Sequence, residues 1–500
     1  MSDRRGLTSR VVHGSFLNLI GQAVTMLATL IATPFVIRPL GAARYGVLAL
    51  VRVLIGYLSF ADMGMGTAST RFGSLAHARG DDEGEAAAIW SALLLAIVPA
   101  TTVALALAIG ARPLVEHVLR LPAELDDAAV ICVRLTALGF VARAIAGVIN
   151  TPPLVRLRMD LVVLVNSGTS IAQVALVPIV IVLGGGLTGS VMVVSGSAIA
   201  TALLYAIIGA RLLPSLRRPR ISRELIRSLA KFGGGLVVST IAATLLANVE
   251  KLLMPRYASV EALAYYSVAF TLAYMLTQLP VAMAQSLIPA FSQLHVNPDR
   301  TPLEQLYRRG LHAMLFWALP GAVFMCAVAR PFFTLWAGPQ YGIESTLPLY
   351  LLIGGVICET LAYAPQGLLI ALGRTDLVAH CQLWLLVPYV IGSAFLIHRY
   401  GAAGAAIAWS LRALASLALF VWFARRASGF AFTPLPENRR DYALSVAILA
   451  VPLAIAAFVS PTVRIAAAVA AVAMYGVLIL TRVLSADERA ALQRMLPKFA

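Results

Sequence analysis

Long apolar runs broken by short polar connections recur along the whole chain, and the pattern predicts about fourteen helical spans. They fall near 12-38, 44-66, 86-110, 127-150, 160-184, 188-210, 232-256, 261-290, 309-330, 346-372, 378-398, 402-424, 442-459 and 463-484. A run of about 18 or more apolar residues crosses a hydrocarbon core of about 30 Å as a helix, and a barrel strand needs only about half that length. The expected class is therefore an all-α polytopic membrane protein. The first run continues from Val11 through Thr25 to Ile37 with no small-residue cleavage site. It is expected to be a retained span, with the mature chain starting at Met1.

Composition agrees with this pattern: 60% of the 500 residues are hydrophobic and 12% are charged, with a mean hydropathy of +0.85. The formal net charge of +16 would suit nucleic acid, but the cations lie where membrane topology puts them. With the N-terminus inside, 26 of the 39 Lys and Arg residues fall in cytoplasmic segments, eight in outer connections and five inside spans. Cytoplasmic loops carry such an excess. Both termini are then cytoplasmic, and no nucleic-acid partner is expected. The basic 211-231 segment spaces Ile221, Leu225, Ile226 and Leu229 as an amphipathic surface helix starting after Ser222, suited to anionic membrane lipids.

The outer connections near 111-126 and 331-345 are short, leaving no room for an extramembrane catalytic domain. The sequence holds no phosphate loop, no metal-spaced histidine pair and no nucleophile elbow. Cys132, Cys326, Cys358 and Cys381 all fall within spans and lack paired spacing. Neither an enzyme nor a cofactor is expected.

Five cations, Arg52, Arg134, Arg143, Lys251 and Arg412, sit inside the spans. Each costs about 2.5 to 3.5 kcal/mol at bilayer depth, so such residues face protein or water and mark a pathway or an anion site. Arg134 lies near the outer end of its span and can snorkel. Polar residues also recur at helical spacing. Asn18, Gln22, Thr25, Thr29 and Thr33 fall within about 80° of arc. Thr136, Arg143 and Asn150 form a second stripe, Asn166, Ser170 and Gln173 a third, and Thr240, Thr244 and Lys251 a fourth, with Asn248 beside it. Two more are Thr271, Gln278 and Gln285, and Glu359, Tyr363 and Gln366. Any one stripe reads equally as helix-to-helix hydrogen bonding; six stripes in both halves favour a shared polar cavity.

The halves resemble one another at an offset of 220 residues, where Tyr45-Gly46-Val47-Leu48-Ala49 falls on Tyr265-Tyr266-Ser267-Val268-Ala269. Six spans separate the equivalent positions, so the repeat is parallel, related by an axis along the membrane normal. The expected organisation is a six-helix bundle over 1-210, the linker 211-231, a second six-helix bundle over 232-424, a cytoplasmic loop over 425-441, two helices within 442-484 and a tail over 485-500.

Ile37-Arg38-Pro39-Leu40-Gly41-Ala42-Ala43-Arg44-Tyr45-Gly46, then Phe60-Ala61-Asp62-Met63-Gly64-Met65-Gly66, with Asn248-Val249-Glu250-Lys251 and Pro289-Ala290-Phe291-Ser292 in the second half, resembles the pattern of Wzx-type oligosaccharide flippases. That family belongs to the multidrug/oligosaccharidyl-lipid/polysaccharide exporter superfamily. The resemblance implies movement of a polyprenyl-pyrophosphate-linked oligosaccharide across the bacterial inner membrane by alternating access, with H+ or Na+ as coupling ion and a polysaccharide polymerase and chain-length machinery as partners. A lipid-linked diphosphate suits desolvated Arg and Lys. Arg52, Arg143, Lys251 and Arg412 are the expected anion-contacting set, with Asp62, Glu250 and Glu359 as candidates for ion coupling or gating. Asn18, Gln22, Thr25, Thr244, Asn248 and Gln278 are expected to line the cavity. A lipid II flippase and a multidrug or cation antiporter remain open alternatives, and a membrane enzyme of polysaccharide assembly is disfavoured by the short loops.

Overall fold

A computed structural model describes residues 2-58, 64-119, 121-295, 299-431 and 461-478. Among these the chain is helical, with no strand. The main helices are α1 (Ser2–Leu58), α2 (Met65–Ala78), α3 (Asp82–Ile109), α4 (Ala123–Ile149), α5 (Met159–Val180), α6 (Gly186–Leu212), α7 (Arg223–Tyr257), α8 (Val260–Met275), α9 (Gln278–His295), α10 (Thr301–Trp336), α11 (Thr346–Ala371), α12 (Thr375–Ser428) and α13 (Pro461–Leu478). Seven of the described helical stretches are long and apolar enough to cross a membrane, or eight if the bent pair α8 and α9 counts as one span. The expected span 442-459, the loop past Ala431 and the tail past Leu478 lie outside the described residues.

Glycines turn single helical stretches into hairpins. Gly41 (φ 74°, ψ 168°) breaks α1 between the first two expected spans, and Gly401 (φ 55°, ψ −129°) breaks α12 between the eleventh and twelfth. Only glycine adopts such backbone without strain. The same device joins α5 to α6 at Gly184 and Gly186, which have φ of 88° and 54°.

The chain divides into two units, Met1–Ala264 and Tyr265–Ala500. In the first, α4 packs on α6 and α3, and α7 packs on α1, α2 and α3. In the second, α11 packs on α12, α10 and α9, while α13 lies on α10. Tyr475 of α13 donates its hydroxyl to the Phe316 carbonyl at 3.0 Å.

The two units repeat one contact closely. In the first, Ser195 of α6 sits against Gly139 of α4, and its hydroxyl donates to the Leu135 carbonyl at 2.8 Å. In the second, Ser410 of α12 sits against Gly355 of α11 and donates to the Leu351 carbonyl, also at 2.8 Å. In both, the acceptor lies one turn before the glycine. Missing side chains let the backbones approach, and the hydroxyl satisfies a carbonyl that lipid could not. Helix entry repeats as well. Leu157 (φ 54°) precedes the pair Arg158 and Asp160 at the start of α5, and Gly373 (φ 73°) precedes Arg374 and Asp376 at the start of α12. These matches repeat between the units in a register of 216 residues for Leu135 and Leu351, Gly139 and Gly355, and Arg158 and Arg374, four fewer than the offset of 220 read from the sequence.

Three features depart from the expected spans. Span 8 is not one straight helix: α8 and α9 meet at an angle of 46°. Past 59-63, which lie outside the described residues, Gly64 in the left-handed region starts a separate helix α2. The amphipathic segment starting after Ser222 is continuous with span 7, so α7 runs 35 residues.

A Cβ on Gly355 would stand 2.7 Å from the Ser410 Cα, and one on Gly139 would stand 3.0 Å from the Ser195 Cα, whereas Gly168 has nothing within 4 Å. Alanine at 355 should therefore lower the thermal unfolding midpoint of the purified protein most and at 139 less. At 168 it should leave the midpoint unchanged or raise it, because alanine favours the helix. Equal midpoints for the three variants would contradict the close contact.

Candidate functional site

The span charges do not share one environment. In the second unit, Arg412 of α12 donates from Nη2 to Oε2 of Glu359 on α11 at 3.1 Å, with the two side chains 9% and 20% exposed. The guanidinium carbon lies 5.1 Å from the Trp409 ring centroid and 5.8 Å from that of Tyr389. Trp409 is buried and meets Phe270 edge-on at 5.4 Å. One turn beyond Glu359, the Tyr363 side chain reaches Tyr274 and Thr277. Thr277 is fully buried at the break between α8 and α9, and its hydroxyl donates to the Tyr274 carbonyl at 2.7 Å. A span that leaves helical geometry at membrane depth must have its freed polar groups met by protein or water. This cluster lies where span 8 does so. Arg412 thus has a carboxylate already at its guanidinium. Removing one member of such a pair is costly, while the intact pair itself adds little net stability.

In the first unit, Lys251 is buried and donates from Nζ to Oδ1 of Asn248, one turn earlier on α7, at 2.8 Å. Glu250, its chain neighbour, is fully buried. Arg52 differs. From Tyr45 to Leu54 every residue is buried except Ala49, half-buried, and Arg52, exposed. Arg52 is thus the one exposed side chain of this stretch. Arg143 of α4 is also exposed, about 140° round the helix from the exposed Leu138 at 100° per residue. Among the described residues neither Arg52 nor Arg143 makes an ion pair or a hydrogen bond. Arg134 is exposed in the N-terminal half of α4 and donates to the Ala108 carbonyl at 3.3 Å.

The polar stripes are satisfied in two ways. Thr25, Thr29 and Thr33 donate to the carbonyls of Gly21, Thr25 and Thr29, each one turn back. Thr136, fully buried, does the same to Cys132, and Thr271 to Ser267. On α5 the stripe joins helices: Asn166 accepts from the Tyr205 hydroxyl at 2.9 Å and Gln173 from Ser197 at 2.6 Å. Thr244 is half-buried and Gln278 is exposed at the start of α9. The side chains of Asn18, Gln22 and Thr240, and all of Asp62, lie outside the described residues.

A cluster the sequence did not signal lies at the start of α3 in the first unit. Glu85 is fully buried and takes two bonds from Arg156, at 2.6 and 3.2 Å, with His77 at 3.4 Å. His77, Asp82 and Glu85 come close enough to share a metal ion, but the arginine already meets the Glu85 charge. A separate stretch, 71 residues along the chain, supplies that arginine.

The profile of the polysaccharide biosynthesis protein family matches residues 11-295, more than half of the sequence. The chain belongs to that family. This bears out the resemblance read from the sequence. A Shigella flexneri relative named "Putative O-antigen transporter" is 26% identical over 203 residues, 41% of this chain and 48% of that protein. The matched stretch thus spans about half of that relative's length. The fold is similar to that of the lipid II flippase MurJ in an inward closed conformation, with a TM-score of 0.73, 12% identity, and 94% of this chain and 100% of that one covered. It is also similar to an inward-facing multidrug resistance MATE family transporter of the MOP superfamily, with a TM-score of 0.67, 14% identity, and 82% and 98% covered. The protein is a multi-pass membrane protein with the fold of these transporters.

Arg412→Ala would leave Glu359 with its counter-charge removed inside a span. The loss should be about 3 kcal/mol, read as a lowered unfolding midpoint in detergent. Arg412→Met combined with Glu359→Leu should recover most of it. A single variant as stable as the parent would show that the pair carries no such burden.

Proposed function

We propose that this protein flips a polyprenyl-pyrophosphate-linked oligosaccharide from the inner to the outer leaflet of the bacterial inner membrane, by alternating access, for surface polysaccharide or lipopolysaccharide synthesis. Family membership, the name of the Shigella relative and the fold shared with MurJ support a flippase or transporter. The observation that carries the substrate class is Arg52: an exposed guanidinium that makes no ion pair or hydrogen bond among the described residues, on a helix whose neighbouring residues are almost all buried. Arg143 supplies a second on α4. A guanidinium in low dielectric holds a phosphate through paired, charge-assisted hydrogen bonds. Its desolvation cost is repaid only when an anion is present.

By contrast Arg412 is matched by Glu359, so its role in anion contact requires that carboxylate to be displaced or protonated. Glu359 is accordingly the candidate for ion coupling in the second unit, and Glu250 beside Lys251 in the first. A cation extruder would favour acids over bases in its spans. Here Arg52, Arg134, Arg143, Lys251 and Arg412 outnumber Asp62, Glu250 and Glu359.

Arg52→Ala with Arg143→Ala should lower surface polymer at least tenfold in cells that depend on this protein, with normal membrane insertion and with lipid-linked oligosaccharide accumulating in the inner leaflet. Arg52→Lys with Arg143→Lys should retain part of the export, because charge survives while the bidentate fork is lost. Full export by the double alanine variant would remove both arginines from the proposed site.

A further inference from the structure

The 211-231 segment is fastened to α2 and α3, and its cations lie in a row on the exposed side. Trp90 of α3 donates from Nε1 to the Leu216 carbonyl at 2.9 Å, the Ser222 amide donates to Oγ of Ser91 at 3.2 Å, and Arg220 pairs with Glu83. Leu213, Leu216 and Leu229 are buried against α2 and α3, with Leu225 packed beside them. Ser222 caps α7, its hydroxyl accepting from the Leu225 amide. Arg223, Arg227 and Lys231 then follow at four-residue steps, about 200° round the helix from Leu225 and Leu229. Arg217 and Arg218 precede them, and all five are exposed. Glu224 is the exposed acid on the same turn.

Depth fixes where this row lies. Thirty-five residues of α7 are about 52 Å long, against a hydrocarbon core of about 30 Å. At the other end of α7, Arg256 donates to the carbonyls of His117 and Val118 on the outer connection. The first turns of α7 must therefore emerge at the cytoplasmic headgroups. Positive-inside topology accounts for cations on this side but requires neither a fixed geometry nor an apolar residue among them. Ile221, between Arg220 and Arg223, is 57% exposed, a poor arrangement in water and a good one at an acyl boundary.

We infer that Arg217, Arg218, Arg223 and Arg227, with Ile221 set into the acyl boundary, form a binding site for anionic phospholipid headgroups of the cytoplasmic leaflet. Charge complementarity and the single inserted side chain favour a lipid over a soluble anion.

Native mass spectrometry of the full chain, purified with mixed phosphatidylglycerol and phosphatidylethanolamine, tests the assignment. The fourfold Arg→Gln variant should retain at least fivefold less phosphatidylglycerol, with unchanged phosphatidylethanolamine. Neutralising Arg300, Arg309, Arg425 and Arg426 instead should change retention less than twofold. Ile221→Gln, which keeps every charge, should lose at least twofold. Inorganic pyrophosphate at 1 mM, on the order of a weak soluble ligand's affinity, should not displace the lipid. Equal loss from both fourfold variants, no loss from the Arg→Gln row and Ile221→Gln variants, or displacement by pyrophosphate would each overturn the inference.

Discussion

Inside hydrocarbon, a carbonyl or a charge that protein leaves unmet has no water to meet it, and this constraint organises the whole molecule. Its simplest expression is the serine that sits on a glycine and donates to the carbonyl one turn before it, made by Ser195 and Gly139 in one unit and by Ser410 and Gly355 in the other. Burial of apolar area gives little drive between helices already in lipid, so such close contacts and hydrogen bonds decide which helices pair. The repeat of the contact, together with the repeated entry into α5 and α12, makes the two units versions of one architecture.

The same constraint sorts the charges. Arg412 is met by Glu359 and by aromatic rings, and Lys251 by Asn248. Arg52 and Arg143 are left for something that the described residues do not supply. Under the proposed function, Arg52 and Arg143 would be fixed cations held for a phosphate, and Arg412 one whose carboxylate partner responds when substrate or a coupling ion arrives. The break between α8 and α9 beside the Glu359 cluster places irregular backbone next to titratable groups, where two conformations can be biased by small changes in charge.

Much of this was legible in the sequence because it depends on one helix at a time. Run length marked the spans, Gly41 and Gly401 fell where two spans met, and Ser222 began a helix. What one helix cannot report is its rotation against another. The threonine stripe of α1 reads equally as a lumen or as contact with another helix, and Thr25, Thr29 and Thr33 donate to their own helix. The Asn166 stripe reads the same way and bonds α6. Glu359 and Arg412, 53 residues apart, each stand out in the sequence as a lone span charge, but nothing local marks them as partners. Thr277, at the bend, is followed by Pro280 in the first turn of α9, a local signal of the break that run length alone passes over. The family pattern, by contrast, was visible because it resides in the order of short local segments.

Whether the protein flips a diphosphate lipid is tested by transbilayer movement in proteoliposomes containing only this protein and a fluorescent undecaprenyl-pyrophosphate oligosaccharide. With an imposed cation gradient, the label on the side of loading should become accessible to a membrane-impermeant reagent on the other side, well above protein-free vesicles. An uncharged polyprenyl oligosaccharide should stay where it was loaded. Equal movement of both lipids, or none of the diphosphate lipid, would contradict the proposed function.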